Sequence, residues 1–252
     1  MIGRKNFVEY VNNLLAIASF NDYAPNGLQV EGRSEINRIC TAVTASAEAI
    51  ERAAQFGADA LIVHHGYFWK GEPAVITGSK YKRIAELIRH QINLLAYHLP
   101  LDCHPQLGNN ACIANLLQLD EIDQHGVSGT PGLLWTGSFP LPKTADEVTL
   151  LLADKLGRKP VLVEGAEHSI TRIAWCSGAA QDYIEQAGAL GVDAYISGEI
   201  SERTYYQAKE LGIHYFSAGH HATERFGIQT LGEHLAQHFN LQYQFIDSLN
   251  PV

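Results

Sequence analysis

Leu61-Ile62-Val63-His64-His65-Gly66 is the stretch on which the reading of this chain turns. Three apolar residues, two of them β-branched, lead into paired imidazoles and a glycine. Fed by Gly57-Ala58-Asp59-Ala60, the run has the length and composition of a buried strand. Its histidines stand where the strand ends, and Gly66 lets the chain turn away. In open α/β sheets, ligands collect beyond the carboxyl ends of the strands. The hexapeptide therefore predicts a point on which further donors converge. Imidazole is the commonest metal ligand in proteins, but two histidines can also cap a strand by bonding to backbone. The six residues by themselves leave both readings open.

Working outward, Ser46-Ala47-Glu48 opens a helix that runs to about Phe56, with Gly57 at the position past its end. Beyond the histidines, residues 66–80 (GYFWKGEPAVITGSK) fit neither the helical nor the strand period. A loop of that length is usually functional or an interface element. Its Tyr67, Phe68 and Trp69 suit partner contact if exposed, and packing within their own domain if not. A helix from Lys82 to His90 follows. The strand Ile92–His98 comes next and closes in Leu99-Pro100-Leu101-Asp102, so again polar residues end an apolar strand. Upstream lie an amphipathic helix over 5–18, a loop with the turn signal Asn26-Gly27, and strands over 28–32 and 36–44. Downstream, Asn109-Asn110 precede a helix over 111–118, and a second half begins near Gly126. SGTPGLLWTGSFPLP reads as strands. Thr144-Ala145-Asp146-Glu147 matches a capping box opening a helix over 145–156. Strands at 161–163 and 170–176, a helix at 181–190 and the run Gly191–Glu199 complete the pattern.

Two of these stretches superpose without a gap. Ile39–Ile62 lies over Ile173–Ile196, 134 positions on, and nine of 24 residues are identical, among them Gly57/Gly191, Asp59/Asp193 and Ala60/Ala194. A strand–helix–strand unit is used twice. His64 falls over Gly198 and His65 over Glu199. Farther on, Ile92–His98 resembles Ile213–Gly219 at a spacing 13 residues shorter, about the length of the aromatic loop. The second copy ends that strand in Gly219-His220-His221-Ala222-Thr223-Glu224. The expected architecture is α/β, with the first repeat over 1–126 and the second over 127–252.

Composition narrows the possibilities. The chain has 252 residues, 46% of them hydrophobic, which is ample for a packed core. A net charge of −9 argues against nucleic acid held through its phosphates. Glu9, Asn12 and Asn13 interrupt any apolar core of a signal peptide. No run of 18 apolar residues offers a membrane span. Four cysteines without CxxC spacing imply reduced thiols and a cytoplasmic setting.

Three strand ends thus carry candidate ligands: His64 and His65, then His98 and Asp102, then His220, His221 and Glu224. His220 and Glu224 are spaced i, i+4 and share a face if a helix begins past Gly219. Mixed imidazole and carboxylate donors suit Zn, Fe, Mn or Ni, and nothing points to a thiolate site. The donors exceed the needs of one catalytic ion, and a bridging carboxylate could hold two ions roughly 3.5–4 Å apart.

These residues resemble those of the Nif-three-like proteins, known as GTP cyclohydrolase type 2 homologues. The likeness covers nearly the whole chain: Asp22…Asn26-Gly27-Leu28-Gln29-Val30, Gly57-Ala58-Asp59 with Val63-His64-His65, His98…Leu101-Asp102, Ser197-Gly198-Glu199 and Gly219-His220-x-x-x-Glu224. The resemblance implies two intertwined, duplicated α/β repeats with mixed sheets. It also implies two divalent ions per subunit and a ring-shaped homohexamer. Carried over by motif, the ligands are His64, His65, Asp102, His220 and Glu224, with Glu224 as bridge. His221 stands where many relatives have an aromatic residue and is left out of the set. Many members follow the histidine pair with proline, where this chain has Gly66-Tyr67-Phe68-Trp69, so the mouth of the site departs from the pattern. Longer members carry an inserted domain for which this chain has no room.

A two-metal site acidifies water and polarises an electrophile, which makes hydrolysis the natural reaction class. His98 is expected to back a ligand or shuttle protons, or else simply to bond backbone. Glu199, aligned with His65, is expected near the same cavity, and Tyr67 or Trp69 is placed to stack on a base. The expected function is a metal-dependent hydrolase acting on a nucleotide or related small heterocycle. A metal-loaded scaffold without catalysis is the alternative. No P-loop and no basic cluster marks a triphosphate pocket.

Overall fold

The computed structural model describes every residue, Met1–Val252. The chain forms a mixed α/β fold with two compact units. One comprises Met1–Gly108 with Gly227–Leu249; the other comprises Asn109–Phe226 with Asn250–Val252.

The first unit is built on a five-stranded sheet in the order Gln242–Phe245, Arg38–Thr44, Ala60–His65, Asn93–Ala96, Gly27–Val30. The first four strands run parallel, and Gly27–Val30 is antiparallel to its neighbour. Burial explains the apolar run Leu61–Val63. Leu61 and Val63 pack into one core cluster, while Ala60 and Ile62 pack into another. Successive side chains of a strand point to opposite faces, so a parallel strand covered on both faces has apolar residues throughout. Leu61, Ile62 and Val63 are all 0% exposed. Each contributes about 1.5–3 kcal/mol by burial, which anchors the strand that carries His64 and His65.

The second unit is built on a six-stranded sheet in the order Asp120–Val127, Thr130–Lys143, Ile170–Cys176, Ala194–Ser197, His214–Ser217, Val161–Val163. Its three central strands, Ile170–Cys176 to His214–Ser217, are parallel, and the flanking ones are antiparallel.

The duplication holds at the level of register. Ile39 pairs with Ala60, and Ile173 pairs with Ala194. Leu95 pairs with Leu28, and Phe216 with Leu162. Asp59 accepts from the backbone N–H groups of Asn37 and Arg38 at 2.8 and 2.9 Å; Asp193 accepts from those of Thr171 and Arg172 at the same distances. The aspartates shared by the two copies therefore tie the start of one strand to the start of the next.

Local signals set several element boundaries. Ser46 Oγ accepts from the Ala49 N–H at 3.1 Å at the head of helix Ala47–Phe56, and Gly57 closes that helix at φ 73°. Thr144 and Glu147 form the expected capping box at the head of Ala145–Leu156. Other boundaries differ from expectation. The first helix spans Arg4–Leu14 and not 5–18, because Ala16 takes a left-handed conformation that starts the short turn Ile17–Ser19. The helix expected from Lys82 begins at Gly78. Leu99–Cys103 is a single helical turn with Pro100 in its first positions, where a missing N–H costs nothing. The hairpin consists of Asp120–Val127 and Thr130–Lys143, so its first strand begins ahead of Gly126. Tyr67 is 5% exposed and belongs to the core, so it offers no contact surface.

All four cysteines are free and buried. No helix is long and apolar enough to cross a membrane.

Candidate metal centre

The first unit gathers three imidazoles at the carboxyl end of its parallel strands. One potential ligand atom from each of His64, His65 and His98 lies within 4.8 Å of the others. Each ring is held by its Nδ1. His64, 0% exposed, donates from Nδ1 to the Tyr97 carbonyl at 2.9 Å. His65 Nδ1 is 3.2 Å from the Thr44 hydroxyl. His98 donates from Nδ1 to Asp22 Oδ1 at 2.7 Å. The carbonyl behind His64 and the carboxylate behind His98 hold the proton on Nδ1 and leave Nε2 as the potential donor atom, as partners behind metal-bound histidines do. Asp102, on the short turn after His98, brings Oδ1 to 3.6 Å from His64 Nε2.

Asp22 organises the corner behind His98. Besides His98, it accepts from the N–H groups of Tyr23 and Leu99 and from the Asn26 amide, at 2.6, 2.9 and 2.8 Å. Asn26 Oδ1 in turn accepts from the His98 N–H at 2.8 Å. Burial pushes the Asp22 carboxyl up. The hydrogen bond and charge of His98, with the bonds from Asn26 and Tyr23, outweigh burial and hold it below the usual carboxylate range. The sequence placed Asp22 and Asn26 in a turn without naming their partner. The reading of His98 as bonding only to backbone is incomplete, since its ring is tied to a carboxylate.

In the second unit, His220 and Glu224 stand one turn apart at the start of the helix His220–Phe239, with His220 Nε2 3.2 Å from Glu224 Oε2. His220 donates from Nδ1 to Glu199 Oε1 at 2.7 Å. Glu199 is positioned through its own carbonyl, which accepts from Ser197 Oγ at 2.8 Å and Tyr215 Oη at 2.6 Å. Burial pushes His220 down, but the Glu224 and Glu199 carboxylates outweigh it and raise the imidazole to about 9. The close packing depends on glycine. At Gly178, φ is 69° and a Cβ would lie 2.3 Å from Glu224 Oε1; at Gly198 it would lie 2.7 Å from the His220 Cα. His221 is buried, and its backbone N–H donates to the Val252 carbonyl at 2.9 Å. Glu199 was legible as the repeat counterpart of His65, although its bond to His220 was not.

The donor chemistry fits a metal. Imidazole nitrogens are good ligands for borderline divalent ions. Carboxylates beside them supply the oxygen donors and negative charge. The Cys103 thiol, next in sequence to Asp102, is pushed far above its usual range, first by burial and then by the Asp102 and Asp22 charges, so it is held protonated. These His, Asp and Glu groups can therefore hold a metal ion through nitrogen and oxygen.

Comparison with known proteins agrees over the whole length. The family profile of Duf34/NIF3 (NGG1p interacting factor 3) matches residues 2–251. A Vibrio cholerae protein named GTP cyclohydrolase 1 type 2 homolog is 51% identical over 245 residues, 96% of each chain. One of the same name from Allochromatium vinosum is 48% identical over 248 residues, 98% of this chain and 97% of that one. Among solved structures, protein ybgI, of unknown function, is 44% identical with a TM-score of 0.95 over 100% of both chains. TTHA1606 from Thermus thermophilus is 32% identical with a TM-score of 0.90, again over 100% of both. With the family profile spanning residues 2–251 and relatives about half identical to it almost end to end, the chain belongs to the Duf34/NIF3 family.

Proposed function

We propose that His64, His65, Asp102, His220 and Glu224 hold two divalent ions and that the protein is a metal-dependent hydrolase acting on a nucleotide or related small heterocycle. The observation that carries this reading is the convergence of His64, His65 and His98, each gripped at Nδ1 by a different element. On this reading His64, His65 and Asp102 of the repeat 1–126 would be ligands, as would His220 and Glu224 of the repeat 127–252. When bound, such ions acidify water and stabilise charge developing on an electrophile.

The protein groups have separable tasks. Asp22 keeps His98 oriented, so that His98 can take or give a proton at Nε2 while Nδ1 stays bonded. Glu199 does the same for His220 from the second repeat. The names of the curated relatives support a cyclohydrolase-like reaction. A metal-loaded scaffold is the second reading, favoured by the family's description as an interacting factor. A cytoplasmic homohexamer is compatible with either.

The deciding experiment screens metal-reconstituted protein against nucleotides and small heterocycles, alongside His65→Ala and Glu224→Ala, with metal content measured in each. Turnover that disappears in both variants together with metal supports the enzyme. Full activity in both variants would sink the two-metal mechanism. Two ions per chain with no turnover on any substrate favours the scaffold. A monomeric mass at micromolar concentration rules out the hexamer.

A further inference from the structure

The loop after the histidine pair carries an aromatic ring that the metal reading does not use. Of the three tryptophans, Trp135 and Trp175 are 2% and 0% exposed. Trp69 is only half-buried, and it stands beside the imidazoles. Its ring centroid is 5.0 Å from that of His98 at an interplanar angle of 84°, and 5.9 Å from that of His65 at 56°. The indole is fixed in place. Its Nε1–H donates to the Gly66 carbonyl at 3.2 Å, and its backbone N–H donates to Glu72 Oε2 at 3.1 Å.

The residue before it is strained. Phe68 has φ 66°, a left-handed conformation that bulky residues rarely adopt and that persists only where surroundings over-determine it. That turn sends Tyr67 into the core, where its hydroxyl donates to the Ala45 carbonyl at 2.7 Å, and leaves Trp69 beside the histidines. Tyr23, 53% exposed, comes from the loop that carries Asp22; its ring is 6.3 Å from that of His98. The Lys70 N–H donates to the Tyr23 carbonyl at 2.6 Å and ties the two loops together.

We propose that Trp69, with Tyr23 on the adjoining loop, is a stacking platform for a planar nitrogen heteroaromatic ring, the base of a nucleobase or nucleoside. This rests on the reading of the imidazole cluster as the seat of chemistry, and it names the substrate class of that site. An aromatic face accepts any base by stacking, and a ring already locked in place loses little freedom when it does so.

The test uses the full chain, with and without added zinc. Fluorescence excited at the red edge of the indole band is followed while guanosine, adenosine, ribose 5-phosphate or inorganic triphosphate is added. Because Trp135 and Trp175 are shielded, quenching by contact reads Trp69. Both nucleosides should quench saturably, and the other two probes should not. By calorimetry, Trp69→Ala should weaken nucleoside binding about tenfold or more, and Trp69→Phe should keep most of it. Both variants should bind zinc as the parent does. Parental affinity in Trp69→Ala, or quenching by ribose 5-phosphate equal to that by the nucleosides, overturns the proposal. Absence of nucleoside binding with zinc bound normally also overturns it and leaves the metal reading standing. Nucleoside quenching that persists where zinc fails to bind supports the platform and defeats the metal reading instead.

Discussion

The Nδ1–H of His220 is held 2.7 Å from Glu199 Oε1, and Glu199 is itself located by two hydroxyls on its carbonyl. A carboxylate in this position fixes the tautomer that leaves Nε2 for a metal and makes the ring a better ligand. Glu199→Ala should therefore lower metal affinity about 10–100-fold without unfolding the protein. Glu199→Gln, which keeps an oxygen acceptor, should lose less. Chelator competition measures both, and an unchanged affinity in Glu199→Ala would show that the contact orients nothing.

Gly178→Ala should damage the metal centre without removing a donor. The position combines φ 69° with a Cβ that would sit 2.3 Å from Glu224 Oε1 and 3.3 Å from His220 Nε2. The carboxylate is the far end of a side chain and can swing aside, so the stability cost is set mainly by the backbone, at roughly 1 kcal/mol or somewhat more. The loss of metal should approach that of Glu224→Ala. Denaturant unfolding and metal analysis of the same preparation separate the two effects.

The metal-free protein should lose stability toward alkaline pH. The His220 pKa is raised from 6.5 to about 9 in the folded state, burial being outweighed by the Glu224 and Glu199 carboxylates. A group that binds its proton more tightly when folded contributes stability that is fully present below its unfolded pKa. That contribution is lost as pH rises from near 6.5 through 9. Thermal melts in chelator should show a decline in Tm across this window that is absent in His220→Gln. A flat parental profile would refute the assignment.

Asp59→Ala and Asp193→Ala should cost similar amounts. Each carboxylate accepts two backbone N–H groups at 2.8 and 2.9 Å at equivalent points of the repeat. Losing charge-assisted bonds of this kind costs about 2–3 kcal/mol. Asp59 also pairs with Arg33 at 2.8 Å, but the arginine side chain is 47% exposed, so that pair adds little. Urea titrations give both values. A cost below 0.5 kcal/mol at Asp193 alone, within the scatter of surface changes, would break the equivalence.

Much of this was legible in the sequence because it is encoded locally. The apolar run 61–63, the Thr144/Glu147 cap and Gly57 each act through near neighbours, and the matched residues of the two copies extend that to strand register. Partner identity is another matter. Nothing around Gln242–Phe245 announces that it pairs with Arg38–Thr44, some 200 positions earlier, since a parallel ladder leaves no turn between its strands. Periodicity could not choose between an inward and an outward Tyr67, because the choice is made by the backbone of Phe68. The histidines and acids of the candidate site were visible as residue types. The Nδ1 partners Asp22, Glu199 and the Tyr97 carbonyl were not, because each comes from a separate segment of chain.

The buried thiols offer a clock. Cys40 and Cys103 belong to the first compact unit, Cys112 and Cys176 to the second. Burial, only partly offset by the Arg52 charge, holds the Cys40 thiol up at about 12, so it stays unreactive until its strand opens. Alkylation followed peptide by peptide would then time the breathing of each unit separately in a single experiment. The order in which the four positions react would show which unit a bound ion protects.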